Sequence, residues 1–100
     1  MQFIRICESL GMKDCIKEFR FHSKRRFRTD YYFPSVKLAI ELEGGIWVKG
    51  AHVRASGYKK DMIKYNLLSE AGIFLLRYEP KHIDYDQIRR VYGRLSFTYF

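Results

Sequence analysis

The cleanest pattern in the chain is a strict alternation. Val36, Leu38, Ile40 and Leu42 are apolar, and Lys37, Ala39, Glu41 and Glu43 separate them. Side chains alternate across a strand, so this predicts a strand with an apolar core face and a second face that ends in two acids. Gly44-Gly45 closes it with a turn that suits glycine. Upstream, Phe3, Ile6, Cys7 and Leu10 repeat at helical spacing and Gly11 supplies a stop, so a first helix is expected. Imperfect alternation predicts a strand over 17–22, and a second strand over 27–32 pairs back on it through the basic turn Ser23-Lys24-Arg25-Arg26. Pro34-Ser35 makes the next turn.

After the glycines, 46–56 reads as a loop, with Ser56 the N-cap of a helix whose face carries Tyr58, Met62, Tyr65 and Leu68 and which ends at Gly72. The continuous apolar run Ile73 to Tyr78 reads as a buried parallel strand, closed by Pro80. Asp84 or Asp86 starts a last helix, with Ile88, Val91, Tyr92 and Leu95 inward and Arg89, Arg90 and Arg94 outward. The expected order is helix, three strands, helix, strand, helix. This is an α/β fold with a mixed sheet flanked by helices and a right-handed strand–helix–strand crossover.

Composition narrows the setting. One hundred residues make a single domain over 1–100 with a modest core, and an apolar share of 47% is ordinary for a globular protein. The net charge of +8 and pI near 9.7 call for a polyanionic partner. Nucleic acid is favoured over a membrane surface, because no basic amphipathic helix with a bulky apolar face is present. Aromatic residues, 17% of the chain, suit strands and base stacking alike. Cys7 and Cys15 lack the spacing of a zinc site and read as reduced thiols in or near the core. Arg5 and Glu8 interrupt the first apolar run, so neither a signal peptide nor a membrane span is expected there, and the expected location is the cytoplasm.

Against that positive balance the acids stand out. Glu41 and Glu43 share a strand face, and a hairpin partner carrying Asp30 brings a third carboxylate beside them. Alone, a Glu-x-Glu pair on a strand is an ordinary solvated feature. Three converging carboxylates form a hard-cation site, with Glu18 on the neighbouring strand a possible fourth. The basic run Lys24, Arg25, Arg26 and Arg28 lies close to Asp30 in sequence and suits backbone phosphate. Lys49, Arg54, Lys59 and Lys60 extend that surface, and Trp47 reads either as core or as a group that stacks on a base.

These residues together resemble the PD-(D/E)XK, or restriction-endonuclease-like, nuclease superfamily, and within it a small phage and bacterial branch akin to very short patch repair endonucleases. The resemblance spans about residues 18–77. It rests on Arg28-Thr29-Asp30-Tyr31-Tyr32-Phe33-Pro34, Glu41-Leu42-Glu43-Gly44-Gly45, Trp47, His52 and Asp61-Met62-Ile63-Lys64-Tyr65-Asn66. It implies an αβββαβ core with an extra C-terminal helix, and metal-dependent hydrolysis of DNA phosphodiesters in the cytoplasm, a host's if the chain is phage-encoded.

The resemblance makes Asp30 and Glu41 ligands of Mg²⁺, for which Mn²⁺ can substitute. Where the wider superfamily has lysine, this chain has Glu43. Lys64 or Lys60 on the following helix, or His52 as a base, can fill that role, with Glu43 itself a metal ligand or general base. The expected substrate is branched DNA, in the manner of a Holliday-junction resolvase acting as a homodimer. A mismatch- or sequence-directed nicking enzyme is the alternative. A nucleic-acid-binding protein without catalysis, or a subunit needing a partner, is the reading from another class.

Overall fold

The structure is a computed structural model that describes residues 2–44 and 51–97, and over 51–58 the backbone alone. Helix α1 spans Gln2–Ser9, strands β1, β2 and β3 span Ile16–Arg20, Arg28–Phe33 and Leu38–Leu42, helix α2 spans Ala51–Glu70, strand β4 spans Phe74–Tyr78 and helix α3 spans Tyr85–Ser96. The four strands form one sheet in the order β1-β2-β3-β4, antiparallel except for the parallel pair of β3 with β4. The class is α/β, and the order of elements follows the order expected.

Alternation divides the sheet into two apolar faces. Tyr31, Phe33, Leu38 and Ile40 face Phe3 and Cys7 of α1 and Ile88 of α3, with Val36 and Met12 completing that core. Tyr32 and Ala39 face Leu68 of α2 and Ile73, flanked by Phe19, Tyr65 and Leu75. The helices thus lie on both sides of the sheet, α1 and α3 together and α2 opposite. Phe33 is fully buried and meets Tyr92 edge-on, ring centroids 5.4 Å apart; Phe19 stacks on Tyr32 at 4.3 Å. Full burial of the Phe33 ring contributes about 2–3 kcal/mol. Ala39, with no exposure, is the small residue over which Leu68 of α2 settles.

Local signals explain the ends of the elements. Asp84 caps α3 by accepting the Gln87 N–H at 2.9 Å. Gly72, at φ +74, takes the left-handed conformation that ends α2 and turns the chain into β4. Asp14 accepts from the Ser35 N–H at 3.0 Å and the Tyr92 hydroxyl at 2.8 Å, which ties the β2–β3 turn to α3. Both thiols are free, and burial pushes Cys7 up to about 12 and Cys15 up to about 11. Cys7 lies in the core and Cys15 packs against it, as expected.

Several boundaries differ from expectation. Helix α2 begins at Ala51, so Ser56 lies inside it and is not its cap. His52 and Arg54, expected in a loop, sit on helical backbone. Met62 is 44% exposed, whereas Tyr65 and Leu68 of the expected face do turn inward, joined by Lys64. Strand β3 starts at Leu38, because a turn over 34–37 with Lys37 at φ +55 occupies the earlier positions; Val36 stays buried within that turn. Strand β4 is parallel to β3 as expected, but it is a sheet edge. Phe74 is exposed and Leu75 and Leu76 are only half-buried, so the apolar run reflects β4's two partial cores and not full burial. Leu10 lies beyond the last turn of α1 and is exposed.

Candidate functional site

The site is built where β2 and β3 part. Their pairing runs from Phe33↔Leu38 through Tyr32↔Ala39 to Tyr31↔Ile40 and ends there. Beyond it β2 continues against β1 alone and β3 against β4 alone. The fork would leave backbone N–H groups without sheet partners, and a buried N–H demands one. Two carboxylates supply them. Glu41 Oε2 accepts the Asp30 N–H at 3.1 Å, and Asp30 Oδ2 accepts the Leu42 N–H at 2.7 Å. Each acid thus caps the other's strand, which holds the pair side by side in the fork.

Helix α2 closes over this pair. Lys64 Nζ donates to Glu41 Oε1 at 2.7 Å, and the two side chains retain only 15% and 11% of their exposure. Burial pushes the Glu41 carboxyl above its usual range, against the pull of the Lys64 ammonium and with the added repulsion of Asp30. Among the described residues Asp30 faces no cation within ion-pair distance.

Glu43 shares the α2 side with Glu41, as alternation predicts, but has different company. The Arg77 guanidinium of β4 grips both its oxygens, Nε on Oε2 and a terminal nitrogen on Oε1 at 2.7 Å, and the Tyr65 hydroxyl donates to Oε2 at 3.1 Å. Arg77 lies over the Tyr65 ring, 4.5 Å from its centroid. The Arg77 hydrogen bonds hold the Glu43 carboxyl below its usual range, with burial opposing them. Tyr65 follows Lys64 directly, so this clamp sets the rotation of α2 that delivers Lys64 to Glu41. Glu43 is therefore occupied by protein partners and does not join Asp30 and Glu41 in a three-acid cluster. Among the described residues no group of three His, Cys, Asp or Glu side chains is placed to hold a metal.

The other expected residues are distributed around the site. Glu18 is 59% exposed and lies 3.5 Å from Arg28, and its φ of +55 is unusual for a non-glycine strand residue. Lys24, Arg25, Arg26 and Arg28 are exposed at the β1–β2 turn, with Arg25 over the Phe27 ring at 4.9 Å. Lys59 and Lys60 are exposed on α2, Lys60 one turn before Lys64. Trp47 and Lys49 lie outside the described residues, as do the side chains of His52 and Arg54.

Sequence reasoning passed over Arg77 and Arg20. The signal for Arg77 is a single charge inside an apolar run on the strand parallel to the acidic one. Parallel register pairs Arg77 with Glu41 and carries the Glu43 N–H onto the Tyr78 carbonyl at 2.8 Å. Comparison with family profiles, with characterised proteins and with solved structures gives no match for this chain.

Proposed function

We propose that this chain is a metal-dependent DNA endonuclease of the PD-(D/E)XK type, with α1 through β4 as its αβββαβ core and α3 as an addition. One observation carries the reading: Lys64, from the helix after the acidic strand, reaches Glu41 at 2.7 Å beside Asp30. A helix-borne lysine thus stands beside the two acids, where the strand itself offers Glu43.

The donor set fits a hard divalent cation. Asp30 and Glu41 present carboxylate oxygens side by side, and Mg²⁺ binds through one or two carboxylates plus substrate phosphate and water. Bound there, Mg²⁺ or Mn²⁺ would acidify water and offset charge on the phosphoryl oxygens. The chain's own residues do the rest. Lys64 spends one of its three N–H donors on Glu41 and keeps two for a phosphate oxygen or the attacking water. Its buried stem and short bond fix the ammonium in advance of substrate, which is what electrostatic stabilisation requires. Glu43, held by Arg77 and Tyr65, is a positioning residue that orients α2.

The basic surface around the fork supports a DNA backbone as substrate, read by shape, as a junction-resolving enzyme would read it. The test offers a four-way junction and supercoiled plasmid with Mg²⁺ or Mn²⁺. Asp30→Ala and Glu41→Ala are expected to lower cleavage about a hundred- to a thousand-fold or more. Both should bind DNA at least as tightly as the parent, since each removes a charge that repels phosphate. Parental cleavage rates in both variants would refute the reading, and so would an intact chain that binds DNA but cuts neither substrate. Preference for the junction supports structure selection; nicking of plasmid alone points to a mismatch- or sequence-directed enzyme instead.

A further inference from the structure

We infer that the open cleft lined by Arg20, Arg26 and Arg28 is a socket for one backbone phosphate of DNA, next along the strand from the phosphate at Asp30 and Glu41. The inference rests on the DNA reading above and adds a separate site to it. The cleft has a volume of about 320 Å³ and lies beside the β1–β2 turn.

Three features single it out. Arg20 and Arg28 are direct partners in the β1–β2 register. Like charges placed opposite each other weaken an antiparallel pair, and opposite charges there would strengthen it. The sheet therefore carries an unfavourable pair, and Arg26 adds a third guanidinium to the same space. The described residues supply little to neutralise them. Among the described residues Glu18 alone pairs with any of the three, at 3.5 Å from Arg28, with both side chains 59% exposed. An exposed pair at that distance is weak.

The turn that delivers Arg26 is also held in place. His22 Nδ1 accepts the backbone N–H groups of Lys24 at 3.1 Å and Arg25 at 3.0 Å. Arg25 itself is drawn over Phe27 and does not line the cleft. What is left is a set of rigid forks that match the oxygens of a phosphate. Arg28 lies two residues from Asp30 on the same strand, roughly 7 Å along β2. An anion held in the cleft therefore belongs to the same stretch of backbone that reaches the fork.

The experiment measures binding of a fluorescent duplex across a salt series in EDTA, where no cleavage occurs. The double variant Arg20→Ala/Arg28→Ala is expected to bind roughly ten-fold more weakly at 0.1 M salt. Its salt slope should fall by about one, the value for one lost phosphate contact. Arg89→Ala, which removes an exposed arginine paired with Asp86 on α3, should leave the slope unchanged. A duplex with single methylphosphonate linkages locates the contact. One neutral linkage should weaken the parent and leave the double variant unaffected.

An unchanged slope, or equal losses from every linkage in both proteins, would overturn the socket while leaving salt-dependent DNA binding, and hence the nuclease reading, standing. An intact chain with no salt-dependent binding overturns both. Thermal melts of the variants exclude misfolding, and Arg20→Lys/Arg28→Lys should restore the slope without the full affinity, since the charge returns without the fork.

Discussion

Lys64→Met separates a catalytic lysine from a structural one. Methionine keeps the stem that packs along α2 and removes the ammonium. In the parent, Nζ lies 2.7 Å from Glu41 Oε1, and both side chains are almost wholly shielded from water. Removing one partner of such a pair costs about 3–5 kcal/mol when the other stays charged. Glu41 has an escape, because it can take a proton. Its carboxyl is already pushed up by burial, with Lys64 opposing, so loss of Lys64 pushes it further in the same direction. A folded-state value above the unfolded one favours the protonated form in the fold. Stabilisation from that form is full below the unfolded value and is lost as pH rises through the folded one. The variant should therefore be about 3 kcal/mol less stable than the parent near pH 7.5, and the gap should close as pH falls toward the ordinary glutamate range. Urea melts in EDTA from pH 4.5 to 8 measure this. In the cleavage assay the same variant should lose about a hundred- to a thousand-fold in rate. It should also half-saturate at lower Mg²⁺, because a cation no longer competes for Glu41. Lys64→Arg should keep most of the stability and recover little rate, since a planar fork does not replace a compact ammonium. Parental cleavage by Lys64→Met, or a stability loss independent of pH, would refute the assignment.

Glu43→Gln leaves the Arg77 fork without its anion. The expected loss is about 1 kcal/mol at neutral pH, limited by an Arg77 side chain that is 48% exposed. The Glu43 carboxyl is held below its ordinary value, so its stabilisation is present above that value and disappears as pH falls through the lowered one; parent and variant should converge in acid. Cleavage should fall only several-fold, as α2 loosens. Loss as deep as in Glu41→Ala would make Glu43 a ligand or base and sink the positioning role. Asp84→Ala removes the cap of α3 and should cost about 1 kcal/mol, a fall in Tm of about 4–8 °C. An unchanged Tm would mean the first turn of α3 is held by packing alone.

The parts of this fold legible in the sequence are those where one physical pattern acts alone. The alternation of β3 placed Leu38 and Ile40 inward and put Glu41 and Glu43 together on the far side, because sheet pleating leaves no other choice. The spacing of Ile88, Val91, Tyr92 and Leu95, behind an aspartate cap, located α3 in the same way. Failures came where two signals competed. Ser56 looked like a cap, yet the helix runs five residues further back, and a serine inside a helix carries no mark that distinguishes it from one at its end. Apolar Met62 suggests a place on the buried face, whereas α2 turns Lys64 inward beside the expected Tyr65, the two meeting Glu41 and Glu43. Charge pairing across a site is set by strand register, and the chain order of β3 and β4 does not reveal that Arg77 meets Glu43. The Asp30–Glu41 pairing was readable because one short hairpin determines it. The Arg77 clamp was not, since it depends on a parallel crossover through the whole of α2.

That clamp changes what the acids imply. Three like charges gathered in a basic protein demand a counter-ion, which on composition alone argues strongly for a metal. The structure divides the demand. Arg77 answers Glu43 from the edge strand, and Lys64 answers Glu41 from the helix. Asp30 is left with a backbone N–H and, among the described residues, no cation. Among the described residues the fork therefore holds a single uncompensated negative charge, shared between Asp30 and a glutamate already committed to Lys64. On the proposed reading, one divalent cation together with one phosphodiester would restore neutrality there, and a second cation would exceed it. The proposed cation would therefore sit on Asp30 beside Glu41, and what distinguishes this pair from ordinary strand acids is the lysine of α2 that reaches it.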